Sequence, residues 1–166
     1  NASQRKTHRN QHRVSTLLEI RGDVLGGCSE NAEEWEELEF MVDSGASATV
    51  VGKDEVKAVQ ASDPDPNRSY KMADGSIIPH LGDKKVIAVT EQYQPTAFKC
   101  SVADVDKPLL SVSQVVENGG EVLFSKAGSY IKLASGRQNP IEYNKGLFYL
   151  KMWVPRDQGM DFHGQA

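Results

Sequence analysis

The stretch EFMVDSGASATVVG, residues 39–52, runs Phe40-Met41-Val42 straight into Asp43 and regains apolar character at Val50-Val51. Asp is a poor strand former, and its charge is costly to bury. Asp43-Ser44-Gly45 could simply turn the chain at the surface, because all three residue types favour turns. Against that reading, Ala46, Ala48, Val50 and Val51 follow at once and place the triplet inside a buried region. A buried carboxylate is tolerated when backbone donors hold it, when its pKa rises, or when a second carboxylate shares a proton with it. Ser44 offers a hydroxyl that can lock such a loop, and Gly45 lets backbone approach closely. These are the parts of an acid–base centre built from paired aspartates.

Outward from this stretch the chain reads as strands and turns. Leu38, Phe40 and Val42 share one face of a period-two segment, with Glu37, Glu39 and Met41 on the other. Upstream, STLLEIRGDV (15–24) reads as a strand ending at the Gly26-Gly27 turn, and residues 29–37 as an acidic loop or frayed helix. Downstream, KDEVKAVQ (53–60) suggests one or two helical turns, and ASDPDPNRS (61–69) a Pro-rich surface loop. YKMADGSIIPHLG places Asp74-Gly75 between apolar residues, a strong hairpin signal. DKKVIAVTEQY and TAFKCSVADV give two further strands. LLSVSQVVENGG gives the main helix, near residues 111–118, with Ser111 or Ser113 as N-cap and Gly119 at its C-terminal end. A hairpin around Ala127-Gly128 follows, then a final strand, NKGLFYLKMWV. That strand is apolar on both faces, so it is a core strand or part of a dimer sheet, with the interface favoured.

Composition bounds the function. A chain of 166 residues with 39% hydrophobic and 25% charged residues is ordinary for one globular domain. A net charge of −4 argues against a general nucleic-acid binder. Arg5, Lys6, Arg9 and Arg13 make the N-terminus basic, so any nucleic-acid contact is weak and confined to that tail. The expected organisation is a basic disordered tail over 1–14, one domain over 15–154, and a disordered tail over 155–166. Cys28 and Cys100 have no metal or redox spacing and read as free thiols. No apolar run is long enough to span a bilayer and no signal peptide is present, which points to an intracellular protein. His8 and His12 sit in the basic tail without a further ligand. Ser47 fails the Gly-x-Ser-x-Gly elbow, because Thr49 stands at its last position. His80 and His163 are isolated, and no metal or cofactor is expected.

FMVDSGASATVV resembles the active-site segment of retroviral-type aspartic proteases: an apolar strand, Asp-Ser/Thr-Gly-Ala, then another apolar strand. The order downstream — ADGS (73–76), KPLLSVSQVVENGGEVLFSKAGSYI (107–131), NKGLFYLKM — is similar to the protease region of copia-type retrotransposon polyproteins. The likeness covers roughly residues 38–152. It implies a mostly β, closed antiparallel retropepsin-like fold with one helix in the C-terminal half, assembled as a homodimer. It further implies that Asp43 is the catalytic aspartate, that Ser44 makes a hydroxyl lock across the dimer, and that Gly45 permits the tight loop. By the same resemblance Ala46 and Ser47 line the substrate cleft, and Ala73, Asp74, Gly75 and Ser76 form the tip of a covering flap. Leu109 and Leu110 pack beside the active-site loop. Retroviral members often carry an acidic residue where this chain has Ser47 and a Gly-rich flap tip where it has only Gly75.

The chemistry then needs two carboxylates sharing one proton, with a water between them. One chain supplies only one Asp-Ser-Gly, so two chains must meet at a two-fold axis. The expected substrate is an extended peptide of a Gag-Pol-like polyprotein, and the expected setting is the cytoplasm or a virus-like particle. The alternative is a catalytically inactive dimeric binding or assembly module of the same fold, in which Asp43 is structural.

Overall fold

The computed structural model describes residues 34–134 and 136–159, and its larger compact unit begins at Glu36. The alternation around Leu38 forms β1 (Trp35–Asp43), with Leu38, Phe40 and Val42 buried and Glu37 and Glu39 exposed. The strand begins at Trp35, so the end of the acidic stretch is extended rather than looped or helical. The expected strand over 15–24 lies outside the described residues, as do Cys28, His8, His12 and His163. After Asp43 come β2 (Val50–Val51) and the hairpin of β3 (Ser69–Lys71) with β4 (Ile77–Pro79). Two long strands follow, β5 (Gly82–Thr90) and β6 (Pro95–Val102). Next come β7 (Leu109–Ser111) and α1 (Val112–Glu117), the only α-helix among the described residues. The chain ends with β8 (Glu121–Leu123), β9 (Tyr130–Lys132), β10 (Gln138–Pro140), β11 (Glu142–Asn144) and β12 (Leu147–Pro155).

The largest sheet runs β1-β7-β2-β6-β5-β12-β11, and β12 also pairs with β1, so the sheet closes on itself with β11 at its flank. Closure removes the exposed edges that a seven-stranded open sheet would leave. β1–β7 and β2–β6 run parallel, while β2–β7, β5–β6, β5–β12 and β11–β12 run antiparallel. Inside lies the core: Phe40, Val51, Val86, Ala88, Val102, Leu110, Leu150, Met152 and Val154, with the Phe98 ring meeting Phe40 edge-on at 5.8 Å. Cys100 belongs to this core, and burial pushes its thiol up to about 12, which leaves it an inert packing residue.

Two corrections follow. β12, favoured from sequence as a dimer strand, is a strand of the barrel; Leu150, Met152, Trp153 and Val154 are buried, and β5, β11 and β1 pair with it. Its two-sided apolarity comes from lying between the interior and covering chain. The tail expected to be disordered from residue 155 begins inside β12, where Pro155 is buried. Continuing the Trp153–Val89 register sets Pro155 opposite Ile87. Proline has no N–H to donate. Gln158 substitutes for it: its Nε2 donates to the Ile87 carbonyl at 3.1 Å, and its Oε1 accepts the Ile87 N–H at 2.8 Å.

Residues 53–60 are turns and not helix. Val56 sits there at φ 54°, a strained value for a β-branched residue. Its backbone is fixed from both sides. Glu36 on β1 accepts its N–H at 2.7 Å, and the buried Lys84 ammonium on β5 donates to its carbonyl at 2.8 Å. Gly82, at φ 136°, opens β5 where the preceding loop crosses it; a Cβ there would lie 2.4 Å from the Ser62 carbonyl oxygen. Gly82→Ala should therefore cost about 2 kcal/mol in urea unfolding, from backbone strain plus displacement of residues 61–62. An unchanged midpoint would contradict the close approach.

Candidate active site

β1 ends on Asp43, and β7 lies beside it in parallel register: Met41 opposite Leu109, Val42 opposite Leu110, Asp43 opposite Ser111. On its other edge β7 pairs antiparallel with β2 through Leu109 and Val50. The two strands flanking the Asp43 loop are thus held apart by a third strand from far along the chain. Leu110 is buried in the core and Leu109 is half-buried at the cleft, so the expected apolar pair does pack beside the loop. Asp43 emerges half-buried at the strand end, and its Oδ1 accepts the Gly45 N–H at 2.7 Å. Among the described residues its other oxygen has no hydrogen-bond partner. A Cβ on Gly45 would lie 3.3 Å from that same Oδ1, a tight contact that the carboxylate could ease only by shifting a few tenths of an ångström. Ser44 is exposed, and among the described residues its hydroxyl is uncommitted.

Three polar side chains hold the rest of the loop, of which the sequence reading selected only Ser111, and that as a helix cap. Ser111, completely buried, donates its hydroxyl to the Ala46 carbonyl at 2.6 Å, and its N–H goes to Thr49 Oγ1 at 3.1 Å. The same hydroxyl accepts the Gln114 N–H at 3.2 Å, capping α1 as expected. Gln114 reaches back from the helix, and its Oε1 accepts the Thr49 N–H at 2.9 Å. In the sequence Thr49 stands out only as the residue that breaks the Gly-x-Ser-x-Gly pattern. Its signal was a β-branched hydroxyl residue at the point where the loop returns to strand. Gln114→Ala should strip the buried Thr49 amide of its acceptor, at a cost of about 1–2 kcal/mol. Faster exchange of the Thr49 amide would report it, and full retained protection would refute the bracing role.

Asp43 opens onto a cleft of about 720 Å³, mostly apolar in lining. Met41, Gly45, Ala46, Ser47, Val50 and Leu109 line one side. The β3–β4 hairpin supplies the other through Tyr70, Lys71, Met72, Ala73 and Ile78, none of which except Ala73 was expected from sequence. Ala46, Ser47 and Ala73 thus meet in one cleft. Asp74, Gly75 and Ser76 form the exposed hairpin turn and lie outside the cleft lining. That turn is well made: Gly75 takes φ 87°, and Asp74 Oδ1 accepts from both the Ser76 N–H (2.8 Å) and hydroxyl (2.6 Å). Those bonds hold the Asp74 carboxyl below its ordinary range. Val105, Asp106 and Lys107 complete the rim.

Among the described residues no group of three His, Cys, Asp or Glu side chains is placed to hold a metal ion. No helix among them is long and apolar enough to cross a membrane. Comparisons with protein-family models, curated proteins and solved structures give no match.

Proposed function

We propose that this chain is an aspartic endopeptidase of the retropepsin-like, copia-type class, cutting a Gag-Pol-like polyprotein as a homodimer. The observation that carries the reading is the half-buried Asp43 carboxylate, held by one backbone N–H, at the floor of an apolar cleft faced by a hairpin. A carboxylate so placed can activate water against a peptide bond, provided a second one takes the complementary protonation state. Among the described residues no second carboxylate bonds to Asp43, and each chain has a single Asp-Ser-Gly, so a second copy supplies the partner across a two-fold axis. One Asp43 accepts the proton of the attacking water. The other donates its proton to the carbonyl oxygen. As the tetrahedral intermediate collapses, the first passes the proton it took from water to the leaving nitrogen and the second recovers a proton from the hydroxyl. Ser44, exposed and uncommitted among the described residues, makes the hydroxyl bond across the axis on this reading. An extended peptide fills the cleft, its backbone bonding to loop and hairpin and its side chains alternating between pockets.

The test is incubation of the wild-type protein with an unstructured precursor fragment at mildly acid pH, products read by mass spectrometry, with Asp43→Asn alongside. Defined cuts by wild type alone support the reading. No cleavage across the acid range, or equal cleavage by both, overturns it and leaves a binding or assembly module.

A further inference from the structure

Arg68 directly precedes β3 and His80 directly follows β4, so the two residues bracket the hairpin that faces Asp43. Both reach one carboxylate on β5. Arg68 Nη1 donates to Asp83 Oδ2 at 3.0 Å, and His80 Nε2 lies 3.1 Å from Asp83 Oδ1. Ser101 Oγ donates to the same Oδ1 at 2.9 Å. His80 is 2% exposed, and its Nδ1 accepts the Asp65 N–H at 2.9 Å. A ring nitrogen that accepts a backbone N–H carries no proton, so these partners assign the neutral Nε2–H tautomer. The His80 N–H also donates to the Arg68 carbonyl at 3.2 Å, closing the root of the hairpin.

We propose that His80 is a pH-operated latch at the hairpin root, tying the Asp65 loop to that root when neutral and releasing the loop when protonated. Protonation puts a hydrogen on Nδ1, facing the Asp65 N–H across a hydrogen-bond distance. One of the two donors must move. The imidazolium gains at Asp83, so the ring stays there and Asp65 leaves. The surrounding charges do not reverse this choice. Arg68 is committed to Asp83, Lys99 lies 3.9 Å from Asp83 Oδ2, and the Asp65 carboxylate accepts the Asn67 N–H. The Tyr70 ring sits 6.4 Å from the imidazole.

Burial alone would raise the Asp83 carboxyl, but hydrogen bonds from His80, Ser101 and Arg68, with the Arg68 charge, hold it below its ordinary range. A depressed carboxylate contributes stability above its unfolded pKa, about 3.9, and loses it as pH falls through the lower folded value. Asp83 therefore stays charged until strongly acid solution and can hold a protonated ring. Acid acts in two separate steps: first the Asp65 loop detaches, and only in stronger acid does the Asp83 anchor fail.

The latch belongs to the hairpin and stands whether or not Asp43 catalyses. The test is a titration of the wild-type protein from about pH 8 to about pH 5, following the His80 ring nitrogens by NMR and amide exchange at Asp65. At the alkaline end Nδ1 should be unprotonated. As the ring titrates, Asp65 exchange, corrected for its intrinsic pH dependence, should accelerate at least about tenfold, while the core amide of Val86 stays protected. His80→Gln offers an oxygen to Asp65 and an N–H to Asp83 with nothing to titrate, so its Asp65 protection should be flat. Flat Asp65 protection through the wild-type His80 titration overturns the latch, as does a protonated Nδ1 at the alkaline end or equal acceleration in His80→Gln. Should that variant not fold, the wild-type titration decides alone.

Discussion

Asp43→Asn should abolish peptide cleavage, by a factor of at least about 10⁴, while unfolding and assembly change little. The substitution keeps the shape of the side chain, and its amide oxygen can still accept the Gly45 N–H that Asp43 Oδ1 now takes at 2.7 Å. It removes both the base that takes a proton from water and the acid that protonates the carbonyl oxygen. Half-burial of Asp43 means the neutral amide is no harder to accommodate than the carboxylate. Ser44→Ala should behave differently, because that hydroxyl bonds to nothing else among the described residues: it should weaken association first and activity as a consequence. Steady-state rates of both variants over a range of protein concentrations separate these effects. Comparable losses at saturating concentration would mean that Ser44 acts at the chemistry, and wild-type rates from Asp43→Asn would place the reaction elsewhere.

The sequence displayed some of this architecture and hid the rest for identifiable reasons. Period-two alternation ending in Asp43 was legible because Leu38, Phe40 and Val42 face one interior, and Asp74-Gly75 was legible because glycine alone suits φ 87°. α1 was legible from its cap, where Ser111 accepts the Gln114 N–H. The turn at residues 53–60 misled because its stability is supplied from outside by Glu36 and Lys84, which local pattern cannot register. β12 misled because an apolar strand covered on both faces has the same composition as an interface strand. The loop bracing by Thr49 and Gln114 spans sixty-five residues, and no local spacing announces it. His80 was isolated in sequence, although the fold sets it against Asp83 and Asp65.

Mixing wild-type protein with a hundredfold excess of Asp43→Asn, under conditions that allow subunit exchange, should lower cleavage per wild-type chain to about one per cent. Each chain carries one Asp-Ser-Gly, so on the proposed mechanism a complete dyad exists only where two wild-type chains meet. If the variant associates as well as the wild type, random pairing leaves about one wild-type chain in a hundred with a wild-type partner, whatever the dimer affinity, once nearly all chains are paired. Plain dilution makes the complementary case. Far below the dissociation constant the dimer falls as the square of concentration, so each tenfold dilution should cut activity per chain about tenfold. The barrel's closure through β1 and β12 leaves Asp43 at a strand end beside an open cleft rather than in a sealed interior, so water reaches it, and among the described residues no second carboxylate bonds to it. A protein that cleaves at full rate beside that excess of Asp43→Asn, with exchange verified by differently labelled chains, would work as a single chain, and the shared dyad would have to be abandoned.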